Sequence, residues 1–391
     1  MPEAYLIAAR RTAGGRRNGR LAGWHPADLG AAVLDALIAE TGVDPAAIDD
    51  VIIGCVSQIG EQTFALGRNV VLASSLPDSV PAVTIDRQCG SSQQALHFAA
   101  QAVMSGTQDL VIAGGVESMT RVPMGSPVTL PKAAGIGTGP FPDSVLERYG
   151  VPEFNQFTGA QMIADKYGFT REELDLFALD SHRKAAAATE VGAFAAEIVP
   201  VSVTTAEGDT IVHDRDEGIR ADASLESIAS VKLINPAGTL SAATASQVCD
   251  GASAVLVASE AAVKAHGLKP IARIVGLAVT AGDPVIMLEE PIPATRRVLE
   301  RSGLAMHDID LFEVNEAFAP IPLAWVKALG ADPARLNVNG GGIALGHPLG
   351  ATGTKLMATL IHALKARGKR YGLQTMCEGG GVANATIVEV L

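Results

Sequence analysis

The same order of predicted elements occurs twice along this chain, and this repetition limits the folds that it can adopt. The first copy is a strand, a helix and a turn leading into a strand, at residues 5–10, 27–40 and 44–54. The second copy has the same three elements in the same order, at residues 271–276, 293–301 and 306–314. Apolar residues at helical spacing and a stop at Ser302-Gly303 support these assignments. Two βα-rich halves of one design predict a duplicated α/β fold.

A different type of segment separates the two halves. It opens with many prolines and glycines between residues 118 and 142 and continues into a predicted helix at 170–189. That helix begins with Thr170 and Glu173 at the spacing of a capping box. We therefore expect an inserted domain, which closes over a site, at residues 119–249. The N-terminal half would take residues 1–118 and 250–270, and the C-terminal half residues 271–391.

Charge and cysteine content exclude several classes of protein. The formal net charge is −12, which disfavours binding to nucleic acid or to an anionic membrane surface. None of the four cysteines is spaced as CxxC, so neither a disulfide framework nor a metal site is predicted. No apolar stretch reaches the length of a secretory signal or a membrane span. We expect a cytoplasmic protein with no metal.

Cys89 follows a β-like run and precedes a helical run of apolar residues. A thiol at a helix start would be exposed to backbone N–H groups and to the positive end of the helix dipole, which would lower its pKa. Gly90 would let a substrate approach the backbone closely. A nucleophile and a buried structural cysteine are both compatible with this pattern.

Three further segments carry candidate chemistry. Glycines surround His347, and Pro348 restricts the backbone beside it, which suits an oriented imidazole better than a phosphate loop of the Walker type. Cys377 lies where a predicted strand gives way to three glycines, a backbone able to present N–H donors to an oxyanion. Asn315 follows another predicted strand, where α/β folds collect functional side chains, although a helix cap is the alternative.

Taken together, these segments resemble the thiolases almost from end to end. The family's motifs are similar to Gln88-Cys89-Gly90-Ser91, Asn315-Glu316-Ala317-Phe318, Gly346-His347-Pro348 and the second cysteine, Cys377. The segment Gly114-Gly115-Val116-Glu117-Ser118-Met119 resembles the start of the thiolase loop domain. The resemblance implies a duplicated thiolase fold with a layered α-β-α-β-α core and an inserted loop domain that binds coenzyme A.

The resemblance also implies a role for each matching residue. His347 would accept the thiol proton of Cys89, whose thiolate would attack a carbonyl carbon and form an acyl-enzyme. Cys377 would move a proton to or from the α-carbon of acetyl-CoA. One oxyanion site would be His347 with a water held by Asn315, and the other would be the backbone N–H groups of Cys89 and Gly379.

Substrate-binding residues are implied by the same resemblance. Arg220 stands where the family binds the adenine nucleotide end of coenzyme A, and Ser246 where it binds pantetheine. Phe157 and Phe318 are the predicted neighbours of the acyl group. Coenzyme A and acetyl-CoA would be substrates, with no permanently bound cofactor.

Some residues depart from the family's common pattern. Glu378 replaces an apolar residue, Asp86 stands where Asn is common, and Gln156-Phe157 replaces the His-Met of many biosynthetic members. The last difference favours degradative thiolysis of a 3-ketoacyl-CoA, of the bacterial fatty acyl or steroid side-chain type, over synthesis of acetoacetyl-CoA.

Two other classes of protein are the alternatives to a catalytic thiolase. A decarboxylating ketoacyl synthase would not need Cys377, and a non-catalytic thiolase-like lipid-binding or scaffold subunit would not need its four intact motifs. The resemblance further implies a homodimer or homotetramer, with a hydratase–dehydrogenase as a possible partner.

Overall fold

Two sets of strands with equivalent pairing build the fold in the computed structural model, which describes residues 2–205 and 207–391. The strands are β1 (Tyr5–Thr12), β2 (Gly15–Arg16), β3 (Asp50–Gly54), β4 (Ala82–Ile85), β5 (Leu110–Ser118), β6 (Ile198–Val199), β7 (Val201–Thr204), β8 (Thr210–His213), β9 (Cys249–Ala258), β10 (Ala272–Ala281), β11 (Leu311–Val314), β12 (Tyr371–Glu378) and β13 (Val382–Val390). The helices are α1 (Pro26–Thr41), α2 (Leu66–Ala73), α3 (Ser91–Ser105), α4 (Ser126–Ala133), α5 (Asp143–Tyr149), α6 (Gln156–Tyr167), α7 (Arg171–Glu190), α8 (Leu225–Ala229), α9 (Glu260–Ala265), α10 (Pro291–Ser302), α11 (Pro320–Leu329), α12 (Gly342–Leu345) and α13 (Thr352–Ala366).

The pairing of the strands confirms the duplication. The first set runs β1-β9-β5-β3-β4 and the second β10-β13-β12-β11, with β1 and β10 joined by a short antiparallel contact at Tyr5–Arg273 and Leu6–Ala272. In each set a long antiparallel strand, β9 or β13, separates the first strand from a parallel pair. The parallel pairs are β3 with β5 and β11 with β12.

Helices cover both sets in three layers. Helices α1 and α2 pack on one face of the first set through residues such as Leu34 and Val70. Helices α3 and α13 lie between the two sets, where Leu96 and Leu360 are fully or almost fully buried. Helices α10 and α11 cover the far face of the second set around Trp325. This is the expected α-β-α-β-α arrangement, in which both sets bury apolar side chains against the central helices.

The segment between the halves packs over one end of this core. Helices α6 and α7 share an apolar cluster with Phe318 and Cys377 from the C-terminal half. The predicted capping box is present, because Thr170 and Glu173 bond reciprocally at the start of α7. Strand β6 joins the main sheet beside β1, and β7 and β8 form a separate hairpin. The predicted domain boundaries therefore stay a prediction, since residues of the inserted segment also pair with the core.

Helix α7, the longest of the described helices, carries charged residues along much of its length. Within the described ranges, no helix combines the length and the apolarity that crossing a bilayer would require.

Candidate active site

Cys89 lies on a tight turn between β4 and α3. Gln88 has a φ of 47°, which is uncommon for a residue other than glycine and is tolerated where the surroundings fix the backbone. The Asp86 carboxylate accepts the Gln88 N–H at 2.6 Å. The Ser91 hydroxyl accepts the Arg87 N–H at 2.9 Å and donates to the Gln88 carbonyl at 2.6 Å. Side chains on both sides therefore hold the turn that presents Cys89 directly before the helix, as predicted.

The Asp86 contact explains one departure from the family pattern. An Asn at this position could accept the same N–H through its side-chain oxygen, so the replacement keeps the cap on the turn. Burial raises the pKa of Asp86, while the Gln88 N–H opposes that shift.

The expectation of a lowered pKa at Cys89 is wrong. Burial first, and then the negative charge of Glu378, raise the pKa of the Cys89 thiol to about 12. The side chain is only 9% exposed and packs against Met119, Leu349 and Met376. In this setting desolvation of the thiolate outweighs the helix start. Cys89 is consequently a neutral thiol near neutral pH, so it would need a proton acceptor to act as a nucleophile.

His347 is buried, and hydrogen bonds fix the orientation of its ring. Its Nδ1 lies 2.6 Å from the Thr352 hydroxyl oxygen, and that hydroxyl lies 2.9 Å from the Pro348 carbonyl oxygen. Because the hydroxyl has one proton, donating it to Pro348 leaves the oxygen to accept from Nδ1–H. The lone pair is then on Nε2. Burial first, and then the Lys355 charge, lower the pKa of His347 to about 3, so the ring is neutral.

Lys355 fixes the backbone that precedes His347. Its buried ammonium donates to the carbonyl oxygens of Leu345 at 2.6 Å and of Gly346 at 2.8 Å. The His347 N–H donates to the Gln247 carbonyl oxygen at 3.1 Å. These bonds orient the histidine from both sides, and the sequence pattern did not single out Lys355 or Thr352.

Gly350, three residues after His347, lets its own backbone approach the backbone of Cys55 closely. A methyl group at Gly350 would lie 2.6 Å from the Cys55 α-carbon. The Gly350 N–H donates at 2.9 Å to the buried carboxylate of Glu117, which also accepts the N–H groups of Val56 and Ser57. Glu117 therefore ties the histidine loop of one half to the first sheet of the other.

Asn315 directly follows β11 and faces His347. Its side-chain nitrogen lies 3.4 Å from His347 Nε2, and its side-chain oxygen has no partner among the described residues. The next residue, Glu316, is turned elsewhere and accepts bonds from Ser181, Asn337 and the Ile343 N–H. In this motif, Asn315 therefore faces His347, whereas Glu316 holds neighbouring segments together through hydrogen bonds.

Cys377 and Gly379 lie at the end of β12. Cys377 is fully buried, and burial first, then Cys89 and Glu378, raise its pKa. The two thiols are therefore close enough to interact electrostatically. A methyl group at Gly379 would lie 3.0 Å from Gln88 Oε1, so the Gly379 loop packs on the turn that carries Cys89.

An inner cleft of about 100 Å³ leads to His347. Phe157, Ser246 and Phe318 line it together with His347, and the Phe157 and Phe318 rings meet edge to face at 5.2 Å. A bond of 2.9 Å from the Ser246 N–H to the Ala317 carbonyl oxygen places Ser246 beside Phe318. Met119 and Met124 form another part of its wall, which sequence reasoning missed.

An outer cleft of about 300 Å³ continues from the inner one, with Ala245 and Gln247 common to both. Arg220 lines the outer cleft beside His182 and Asp222. The structure therefore separates Arg220 from the other three predicted binding residues but places all four along one path. No group of metal-ligating side chains occurs among the described residues.

The sequences of known proteins are similar to this one over nearly its whole length. Sequence models of the thiolase N-terminal and C-terminal domains match residues 4–261 and 268–390. The chain is 53% identical to a steroid 3-ketoacyl-CoA thiolase of Mycobacterium tuberculosis, covering 100% of this chain and 95% of that protein. It is 42% identical to an acetyl-CoA acetyltransferase of Pseudomonas aeruginosa, covering 97% and 98%.

A solved structure agrees with these sequence matches. The crystal structure of human mitochondrial 3-ketoacyl-CoA thiolase has 36% sequence identity and a TM-score of 0.89 over 100% of this chain and 99% of that one. The duplicated fold that the repeat predicts and the layered core that the resemblance implies are therefore both confirmed. This chain belongs to the thiolase family.

Proposed function

We propose that this protein is a degradative thiolase, which uses coenzyme A to cleave a 3-ketoacyl-CoA into acetyl-CoA and a shortened acyl-CoA. The observation that carries the proposal is the neutral His347, whose Nε2 faces Asn315 in the cleft that Phe157 and Phe318 line. A base, a nucleophile and a second thiol close enough to interact with it electrostatically are the groups that reversible Claisen chemistry requires.

The first half-reaction forms the acyl-enzyme. His347 Nε2 takes the proton of the Cys89 thiol, and the thiolate attacks the keto carbon of the substrate. The bond between that carbon and the α-carbon breaks, and acetyl-CoA leaves as its enolate. Cys377 gives its proton to the α-carbon and becomes a thiolate. The backbone N–H groups of Cys89 and Gly379 would hold the first oxyanion, and His347 with a water on Asn315 the enolate oxygen.

The second half-reaction restores the enzyme. Coenzyme A enters, its thiol gives a proton to the Cys377 thiolate, and its sulfur attacks the acyl group on Cys89. The tetrahedral intermediate collapses to acyl-CoA and the Cys89 thiolate, which recovers its proton from His347. Each thiol therefore ends the cycle in the form in which it began, with no external acid or base consumed.

The two connected clefts support an acyl-CoA substrate bound in one direction. Arg220, in the outer cleft, would contact the nucleotide phosphates, and Ser246 would contact pantetheine near the reacting carbon. The thioester would then lie beside His347, with the acyl chain against Phe157 and Phe318.

The identity of the acyl group is the part of the proposal for which there is a specific alternative. Phe157, which replaces the Met of many biosynthetic members, lines the cleft and supports a steroid side chain or a fatty acyl chain as the acyl group. The similarity to a steroid 3-ketoacyl-CoA thiolase supports the same assignment. Condensation of two acetyl-CoA molecules is the alternative, supported by the similarity to an acetyl-CoA acetyltransferase. Thiolysis rates for 3-ketoacyl-CoAs of rising length, with a steroid-type substrate included, separate the two. A preference for acetoacetyl-CoA over every longer substrate contradicts the degradative assignment.

Assembly and location complete the proposal. We expect a homodimer or homotetramer, because Phe64, Val83 and Phe98 are 89%, 44% and 41% exposed around the edge strand β4. All four cysteines are free thiols, which suits a reducing compartment such as the cytoplasm. A hydratase–dehydrogenase partner would supply the 3-keto group. Light scattering at micromolar concentration tests assembly, and a monomer contradicts it.

A further inference from the structure

Glu378 is a buried carboxyl group with no apparent partner, at the point where the two halves of the site meet. Its side chain is 0% exposed, and neither carboxyl oxygen makes a well-formed hydrogen bond among the described residues, although the Asn384 backbone N–H lies near enough to favour the charged form. Buried polar groups in native proteins are nearly always satisfied, so an exception with two unpaired oxygens calls for an explanation.

The position of this carboxyl group relates it to the nucleophile. A methyl group at Gly90 would overlap with Glu378 Oε1, so the carboxyl lies directly on the backbone that follows Cys89. Along the chain, Glu378 joins Cys377 to Gly379, which carries one of the proposed oxyanion donors. Glu378 therefore contacts the Cys89 turn through its side chain and leads into the Gly379 loop through its backbone.

Few charges compensate a carboxylate at this position. Among the described residues Glu378 takes part in no ion pair within 4.0 Å, and Arg87 is the cation that acts on it. The other titratable groups around it are Cys89, Cys377 and, farther along the same turn and helix, Asp86 and His97. His97 is neutral, because burial and then the charge of Arg87 lower its pKa to about 3. A negative charge on Glu378 would consequently be poorly balanced.

Burial is also the main influence on its ionisation. It raises the pKa of Glu378 to about 8, against the opposing effects of Arg87 and then of the Asn384 backbone N–H. A carboxyl with a raised pKa is neutral below that value and becomes charged as the pH rises through it. At neutral pH the group next to Cys89 is mostly a carboxylic acid.

We propose that Glu378 is a positioning residue that works as a neutral carboxylic acid, holding the Cys89 turn against the Gly379 loop, and that its ionisation stops turnover. The second part follows from electrostatics, because a carboxylate there would oppose both the Cys89 thiolate and an oxyanion at the Cys89 and Gly379 amides. This inference rests on the proposed thiolase mechanism. It assigns to Glu378 the alkaline limit of activity, since neither His347 nor the resting Cys89 thiol titrates near pH 8.

Two substitutions separate charge from shape. Glu378→Gln keeps the shape of the protonated acid and cannot ionise, whereas Glu378→Ala removes the contact with Gly90. Glu313→Gln is the matched control, because Glu313 is also buried with an unpaired oxygen, but its charged neighbours are Glu316, Glu197, Lys184 and Arg367. Thiolysis is followed as acetyl-CoA by chromatography, since the absorbance of the substrate enolate itself changes with pH.

The pH profiles then decide. In the wild type and in Glu313→Gln, kcat should fall about tenfold for each pH unit above about 8, the slope of a single ionisation. Glu378→Gln should keep its neutral rate within about threefold and hold it for at least about one further unit. Glu378→Ala should be slower at every pH. An unchanged alkaline limit in Glu378→Gln overturns the proposal. A loss of about 100-fold in Glu378→Gln at neutral pH also overturns it, because the carboxylate would then be acting as a base.

A second measurement does not depend on turnover. Infrared difference spectra of the wild type should show the carbonyl stretch of a protonated carboxylic acid that disappears between about pH 7 and about pH 9. That band should be missing in Glu378→Gln and present in Glu313→Gln. If no such band titrates, Glu378 is either ionised below this range or protonated throughout it, and the proposal fails in both cases. If the band titrates as expected but no thiolysis occurs at any pH, the proposed function is the part that is wrong.

Discussion

The side-chain nitrogen of Asn315 lies 3.4 Å from Nε2 of His347, which brings together two motifs that are far apart in the sequence. The distance is long for a hydrogen bond, so this contact leaves room for Nε2 to accept a proton from another donor. The Asn315 side-chain oxygen has no partner among the described residues, so it is the group to which the proposed water molecule is assigned. Both features fit the roles proposed for this pair.

Thr352 should control the activity of His347 without touching substrate. Its hydroxyl is the partner of Nδ1 at 2.6 Å, and it selects the ring form with a free Nε2 lone pair. Replacing Thr352 with Val removes that partner while keeping the size of the side chain. Loss of one hydrogen bond of about 1 kcal/mol predicts roughly a fivefold fall in kcat, and a misoriented ring would add to it.

The control for this substitution is Thr359→Val on the same helix. Thr359 is also buried, but its hydroxyl donates to Glu197 at 2.9 Å and does not contact His347. It should lose stability in thermal unfolding and keep its kcat. Equal kcat values for Thr352→Val and the wild type, measured on folded protein, would mean that the tautomer is set by another group.

Arg220 should contribute to binding of the nucleotide portion alone. Arg220→Ala should raise the KM for a 3-ketoacyl-CoA and leave kcat nearly unchanged, because the residue lines the outer cleft and not the one that contains His347. Charged hydrogen bonds contribute about 1.5–3 kcal/mol, so a rise in KM of roughly tenfold or more is expected. The matched control is a thioester that ends at pantetheine. A similar rise in KM with that shortened substrate would contradict the assignment.

Alkylation by iodoacetamide should reach Cys89 before the other thiols. Cys89 is 9% exposed, compared with 0% for Cys55, 2% for Cys249 and 0% for Cys377. Because its pKa is raised to about 12, the labelling rate should rise about tenfold per pH unit between about pH 6 and about pH 8. Peptide mass spectrometry measures both properties. A rate that is already flat over this range would show a preformed thiolate and contradict the raised pKa.

The repeat and its elements could be predicted because each half has its own local pattern. The strand, helix and turn of the first copy appear as β1, α1 and β3, and those of the second as β10, α10 and β11. Cys89 could also be placed before a helix, since a β-like run met a helical one at that point. These features depend on the spacing of neighbouring residues, which a sequence displays directly.

Contacts between distant segments were the part that the sequence could not provide. Nothing local to Lys355 indicates that its ammonium will bond the two carbonyl groups before His347. The pKa of Cys89 was predicted in the wrong direction for the same reason, because the helix start is local whereas the burial and the Glu378 charge arise from folding. A titratable group responds to everything around it, so its pKa follows from the tertiary structure.

The separate roles of the two cysteines are the centre of this account. If Cys89 forms the covalent bond and Cys377 only moves a proton, then Cys89→Ala should take up no acetyl group from acetyl-CoA. Cys377→Ala keeps the nucleophile and His347, so it should still acetylate Cys89. It should fail to exchange the α-hydrogens of a bound thioester with deuterated water, and its turnover should fall by at least about 10²–10⁴-fold.

The most direct test is the mass of the peptide that carries Cys89 after each folded variant has been incubated with acetyl-CoA. The account predicts one added acetyl group on that peptide in Cys377→Ala, and no acetylation anywhere in Cys89→Ala. An acetyl group on another residue of Cys89→Ala would contradict the assignment of the nucleophile. Absence of acetylation in Cys377→Ala would contradict the division of roles, because Cys377 would then be needed to form the acyl-enzyme.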